Sequence, residues 1–454
     1  MNQIYAVILV YFLITFLIVR YFSRKESLQE YFLNNKSSGL RLLIFSNVAT
    51  LIGAGAVLSA VSAIYDTGIS FGITNIISFL FGAIILGVIA KKIAEAGTKY
   101  QIYSIVDFFK KRFDRKNEIL VLIVQLLLLI IRTTAQIVGI TYLINALTGI
   151  NYYVALGISA GITVLYTAIG GLKIDLITDF LQFWIILIVF IIMAFFGYQH
   201  VGSISNLISN LPAGHLNIFN FWGIGFFIGA IVFGGLIYIP NTTHRQRILS
   251  AKSKIIASKS FYRSLPFLVF LMGIVIFLGL VASVLLKWIN PNTAIFALIQ
   301  EIMPNKRLIW VWFACILAVI MSSVDSLLVW WSTIIYKNIV PNKNFTEKKW
   351  ILYARLLTLW FGAICMMIAI VIPDIVTLSL LCSYLALIFV PAVIAGFYAP
   401  KVSANASFYS ILIPAIILLS LYFVIGKNTF IISTLLSIII IICYDRVFKK
   451  NKIA

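Results

Sequence analysis

Again and again the chain runs through apolar stretches of about 18 residues or more with almost no charge inside them, each long enough to cross a bilayer as a helix. A helix closes its backbone hydrogen bonds within the segment, as hydrocarbon demands. The other solution, a closed barrel, needs ~10-residue segments of alternating polarity, and these are absent. Thirteen spans are read: 3–22, 41–65, 71–90, 119–147, 152–169, 176–198, 221–240, 264–286, 308–335, 350–372, 375–398, 407–425 and 429–445. Only 11% of residues are charged, against about 25% in soluble domains. The expected class is an all-α integral membrane protein.

The net charge of +21 raises the question of nucleic acid. Its distribution answers it. With the N-terminus outside, 30 of the 35 Lys and Arg fall on the cytoplasmic side, including those of segments 91–116, 245–263 and 337–349. Lys287, Lys306, Arg307 and Lys427 fall outside, and Arg132 lies within a span. This is the positive-inside bias of a multi-pass plasma-membrane protein, with a cytoplasmic C-terminus and no nucleic-acid partner. The first apolar stretch precedes its charges (Arg20, Arg24, Lys25), so it reads as an uncleaved span and not a signal peptide. Ser104–Lys116 alternates apolar and basic residues and is expected as an interfacial helix. The four cysteines sit in apolar helices at no metal or redox spacing and read as packing residues.

Two spans carry helix-breaking composition. The second contains Ile52-Gly53-Ala54-Gly55-Ala56, and the seventh carries five glycines before Pro240. Close packing through small residues is one reading. The spacing supplies another: five spans separate the two breaks, so 41–198 and 221–400 form two five-helix repeats of opposite orientation. Matching broken first helices mark a carrier's binding site. Residues 1–40 are then a first span with its cytoplasmic loop, and 401–454 two peripheral helices with a basic tail.

Of fourteen acids, twelve lie in loops or at span ends, where solvated or capping charge is expected; Asp175 is among these. Asp179, a turn inside span six, and Asp325, mid-span nine, remain. Ser322, Asp325 and Ser326 share one helix face at i, i+3 and i+4. A lone membrane serine bonds back to its own helix, but several hydroxyls around a carboxylate suit a hard cation that takes oxygen ligands. Arg132 lies about 20 Å along its span, too deep to snorkel. It admits a structural pair with one of the two buried acids, or a bidentate clamp for a solute carboxylate.

These stretches resemble the sodium:solute symporter family, whose members carry proline, glucose, pantothenate and sialic acid. The matches are Glu30-Tyr31-Phe32-Leu33, Ile52-Gly53-Ala54-Gly55, Gly170-Gly171 leading to Thr178-Asp179-Phe180-Leu181-Gln182, Gln246-Arg247-Ile248-Leu249-Ser250-Ala251-Lys252 and Met321-Ser322-Ser323-Val324-Asp325-Ser326. They run in family order over about residues 25–400. The resemblance implies the inverted-repeat fold first described in the leucine transporter. It implies a sodium site from carbonyls of Ala49, Ile52 and Val319 with the hydroxyls of Ser322 and Ser323. A second cation site, present in some members, maps onto Asp179, Ser322, Asp325 and Ser326. Arg132 occupies the place of an arginine that grips acidic sugars, and Asn75 that of a solute-facing amide; Gln136 and Gly53 complete the expected solute site. Gly53 and Ala56 replace hydroxyl residues, which favours a smaller carboxylate or amino acid over a sugar acid.

The expected function is sodium-coupled uptake of a small carboxylate-bearing solute by alternating access, the chain working as a monomer with sodium as coupling ion. A proton-coupled carrier and a non-transporting solute sensor are the alternatives. An intramembrane enzyme needs a nucleophile, base or metal cluster that the sequence does not supply.

Overall fold

The computed structural model describes residues 33–52, 54–102, 104–166, 172–220, 223–305, 347–426 and 429–450, with isolated positions between 312 and 338. Secondary structure there is almost wholly helical. A short 3-10 turn (Asn34–Lys36) leads into α1 (Leu40–Leu51) and α2 (Ala54–Thr67), followed by α3 (Ile69–Lys99), α4 (Ile105–Arg112), α5 (Arg115–Thr148), α6 (Tyr152–Tyr166) and α7 (Leu172–Val201). Then come α8 (Ile204–Ser209), α9 (Gly223–Gly234), α10 (Thr242–Ser250), α11 (Lys254–Leu285), α12 (Ala294–Ile302), α13 (Glu347–Val371), α14 (Ile375–Tyr398), α15 (Ala404–Ile425) and α16 (Thr429–Lys450). Span one, and span nine apart from isolated positions, fall outside the described residues.

Seven of these helices are long and apolar enough to cross a membrane. They run beyond the apolar runs read from sequence, α3 to Lys99 and α11 back to Lys254, because polar ends keep a helix going once its backbone is paired. Side chains such as Val88, Ile188, Phe195 and Phe270 are more than half exposed. In water such a surface would be a liability; in a bilayer it faces the solvent that suits it. Local signals set the ends. Ser104 and Asp107 form a reciprocal capping box on α4, and Asp114, Ser253 and Asp374 cap α5, α11 and α14. Gly149, at φ 69°, closes α5 in the left-handed conformation.

The expected interfacial helix divides. Only Ile105–Arg112 forms α4, and Arg115 and Lys116 open α5. The apolar side of α4 packs on protein: Phe108 stacks on Phe397 at 4.2 Å and Phe109 on Phe389 at 5.2 Å.

Both glycine-rich spans are interrupted. The first stops at Leu51, and Ile52 leaves the helix at φ −94°, ψ 59° before α2 resumes at Ala54. The second tightens after Gly234 into a 3-10 turn, Gly235–Tyr238, and turns at Pro240 into α10. Close packing holds at the same place: a Cβ on Gly235 would lie 2.7 Å from the backbone nitrogen of Gly82 on α3 and 2.5 Å from the Phe81 ring. Backbone cannot swing aside as a flexible side chain can. Gly235→Ala should therefore cost about 1–3 kcal/mol of overpacking, read as a lower melting temperature in detergent; an unchanged melt would show that α3 and the turn separate freely. Further along, Ser38 N donates to Ser250 O (3.0 Å) and Lys252 N to Ser38 O (3.1 Å), tying the entry of α1 to the exit of α10.

Candidate solute and cation site

The break in the first span positions everything around it. Ile52 N still donates to Val48 O at 3.0 Å, closing the last turn of α1. The ψ of 59° then turns the Ile52 carbonyl off the helix axis, as a cation ligand must be. Ala49 and Ile52 are both buried. Next to them, Thr50 and Leu51 line a cavity of about 240 Å³ together with Ser323. Of the five expected sodium ligands, Ala49, Ile52 and Ser323 are thus described, and Ser323 shares a cavity with the end of the broken helix. Val319 and Ser322 lie outside the described residues.

The same cavity takes in the expected solute residues. Asn75 from α3, and Arg132 and Gln136 from α5, line it; Gly53 lies outside the described residues. Arg132 Nε donates to Cys382 Sγ at 3.2 Å. No carboxylate among the described residues pairs with its guanidinium. Gln136 Oε1 is buried without a hydrogen-bond partner. Thr134, between them on the helix, spends its hydroxyl on Ile130 O at 2.8 Å. Aromatic walls enclose the remaining space. Phe79 meets Tyr238 at 5.6 Å, and Tyr384 stacks on Phe430 at 4.7 Å. The volume lies below the ~300–1,000 Å³ of drug-sized sites, so the occupant is small.

Asp179, one of the two acids open to Arg132 as a structural pair, meets another arginine. Its Oδ2 accepts from Ser46 Oγ (2.7 Å), Thr50 Oγ1 (3.1 Å) and Arg247 Nη2. The same Nη2 reaches Asp175 Oδ2 (3.2 Å) and Ser326 Oγ (3.0 Å), and Arg247 Nε donates to Ser46 Oγ at 2.8 Å. Ser326 in turn donates to Asp175 Oδ1 at 2.8 Å. All three charged side chains are sealed from solvent, Arg247 at 1% and both aspartates at 0% exposure. Asp179 Oδ1 is buried without a hydrogen-bond partner. So two members of the expected second cation set, Asp179 and Ser326, do converge, bridged by a guanidinium; Ser322 and Asp325 lie outside the described residues.

Two interrupted helices in one bundle, with a small cavity where the first breaks and, lining it, an arginine that no carboxylate among the described residues meets, are the architecture of a membrane carrier. Sequence comparison agrees. The pattern of the family described as "Sodium:solute symporter family" matches residues 31–414. The chain is 25% identical to the sodium/pantothenate symporter of Escherichia coli (strain K12) over 439 residues, covering 90% of this chain and 88% of that protein. It is 27% identical to the sodium/proline symporter of Staphylococcus aureus over 339 residues, 71% of this chain and 65% of that one. A solved Na⁺-coupled sialic acid symporter, in a substrate-bound outward-open state, has the same fold at a TM-score of 0.79 and 18% identity, covering 98% of each chain. The chain belongs to the sodium:solute symporter family. It is a sodium-coupled membrane transporter and not an enzyme.

Sequence reasoning missed α10 and Asp175. Most of the former falls in the basic cytoplasmic segment 245–263, yet every residue from Thr242 to Ser250 is buried. Asp175 was read as a charge at a span end. A signal was available: Asp175 stands four residues before Asp179 and so shares its helix face, and two acids on one buried face require a cation.

Proposed function

We propose that the protein takes up a small carboxylate-bearing solute across the plasma membrane with sodium, and that Arg132 grips the carboxylate as a two-pronged clamp. The Arg132 guanidinium, which no carboxylate among the described residues meets, carries this reading. An arginine at mid-depth is costly unless it meets a partner; among the described residues Asp179 goes to Arg247 instead, which supports a partner for Arg132 that arrives with the solute. Asn75 and Gln136 supply further polar contacts, and the aromatic walls suit an apolar body better than a ring of hydroxyls. Gly53, beside the break, would let the solute approach the backbone.

Sodium would sit at the carbonyls of Ala49, Ile52 and Val319 and the hydroxyls of Ser322 and Ser323. Binding there ties the broken helix to span nine and favours the outward-open form. Rocking of repeats 41–198 and 221–400 about the site would then release both on the cytoplasmic side, where the basic segments and the C-terminus lie. A second cation at Asp179, Ser322, Asp325 and Ser326 is supported by one atom, the buried Asp179 Oδ1, which has acceptor capacity left over. A monomer holds every residue this scheme uses.

The test is a panel of pantothenate, proline, short monocarboxylates and neutral sugars, scored by thermal stabilisation of the purified protein in sodium and in potassium. A carboxylate should raise the melting temperature in sodium far more than in potassium, and sugars should not. Equal stabilisation by a neutral sugar in both buffers would overturn the assignment.

A further inference from the structure

On the flank of the bundle, away from the solute cavity, α1, α7 and α11 enclose an open groove of about 670 Å³. Two arginines line it, Arg41 in the first turn of α1 and Arg263 on α11, beside a wall of Phe45, Phe180, Trp184 and Phe267. Both arginines are exposed. No carboxylate among the described residues pairs with either. Phe45 is the hub of the wall, its ring 5.4 Å from Phe180, 5.2 Å from Trp184 and 5.4 Å from Phe267. The order along the two helices repeats. Arg41 and Phe45 are four residues apart on α1, as are Arg263 and Phe267 on α11, so each cation stands one turn from a ring on its own face. Both arginines also stand where apolar runs begin, 41–65 and 264–286. The bonds from Ser38 to Ser250 and Lys252 join the chain just ahead of α1 and α11, so both helices set out from one side of the bundle. The charges mark that side, and the rings lie deeper.

An amphiphile with a negative head fits that order, charge at the membrane surface and apolar body inward. We propose that this groove binds an anionic phospholipid of the cytoplasmic leaflet, its phosphate between Arg41 and Arg263 and an acyl chain along the Phe45 wall. A phosphodiester offers the oxygens that guanidinium forks take in pairs. Basic pockets between membrane helices on the cytoplasmic side hold such headgroups. A zwitterionic headgroup brings a cation of its own toward the two arginines and gains less. The lipid lies one residue from the ion cluster on each of two helices. Phe45 precedes Ser46, Phe180 follows Asp179, and Ser46 Oγ donates to Asp179 Oδ2 at 2.7 Å. The bound chain braces the half-helix that carries Ala49 and Ile52 against α7 and α11.

The experiment uses the full-length chain, delipidated in detergent, and native mass spectrometry with dioleoyl phosphatidylglycerol and dioleoyl phosphatidylcholine. The parent should take its first phosphatidylglycerol about tenfold or more tightly than its first phosphatidylcholine. Arg41→Gln/Arg263→Gln should bring the two lipids to within about threefold of each other. Lys401→Gln/Arg446→Gln, which removes two exposed cations elsewhere, should keep the parent's preference. Without lipid, the Arg41→Gln/Arg263→Gln protein should melt with the parent, because both side chains are exposed and neither meets a carboxylate among the described residues. Equal loss of preference in both double variants would reduce the effect to surface charge and overturn the site. Retention of the preference in Arg41→Gln/Arg263→Gln, equal affinity of the parent for the two lipids, or a dimer that excludes both would overturn it too. So would a large fall in the lipid-free melting temperature of that variant, which would make the two arginines structural.

Discussion

Arg247→Met should destabilise the folded carrier by about 3–5 kcal/mol, the cost of stripping the counter-charge from a buried ion cluster. The substituted side chain is close in length and apolar, so packing alone accounts for little of this. What remains is two sealed carboxylates, Asp175 and Asp179, facing each other across Ser326 and Ser46 with no cation between them. The expected readout is a sharply lower melting temperature in detergent and poor recovery from membranes. Adding Asp175→Asn and Asp179→Asn to the same variant should recover much of the loss, because the charges that needed Arg247 are then gone. If Arg247→Met melts with the parent, the guanidinium is not what holds α1, α7, α10 and span nine together.

Arg132 is expected to behave in the opposite manner, costing function and not stability. Arg132→Gln removes a charge that satisfies no carboxylate among the described residues, so the fold should tolerate it. Binding should not. Loss of a charged two-pronged contact in a desolvated site costs about 2–4 kcal/mol, and every 1.4 kcal/mol is tenfold in affinity. A carboxylate that stabilises the parent in sodium should therefore bind roughly 30-fold more weakly or worse, and Arg132→Lys should recover only part of that because a point charge lacks the fork. Sodium alone should stabilise parent and variant equally. An Arg132→Gln carrier with parental carboxylate affinity would mean that the solute is held elsewhere in the cavity.

Much of this architecture was legible because lipid allows so few solutions. Apolar length pointed to the seven long membrane helices found among the described residues, and the glycine clusters at Ile52–Ala56 and before Pro240 marked two breaks that the backbone does contain. Arg132 and Asn75, 57 residues apart in sequence, were placed in one site and do line one cavity. Pairing was harder to read. Nothing local in Gln246-Arg247 says whether the arginine is solvated at a basic end or folded inward beneath two aspartates. Composition favoured the former, and tertiary packing of α10 imposed the latter. Asp175 was misjudged for the same reason, since its place near a span end looks polar until Arg247 is seen to reach it. A string of cations signals solvent only while no fixed anion requires one of them inside, as Asp175 and Asp179 require Arg247.

The claim on which the account depends is that sodium binds where α1 breaks and that its gradient drives uptake. The most direct measurement is uptake into proteoliposomes of the carboxylate that stabilises the purified protein best, with an inward sodium gradient, with potassium in its place, and with a Ser322→Ala/Ser323→Ala double variant. The parent should accumulate the solute only with the sodium gradient, and the double variant should fail to do so while folding normally. Accumulation of the same size by both proteins, with or without sodium, would contradict the account.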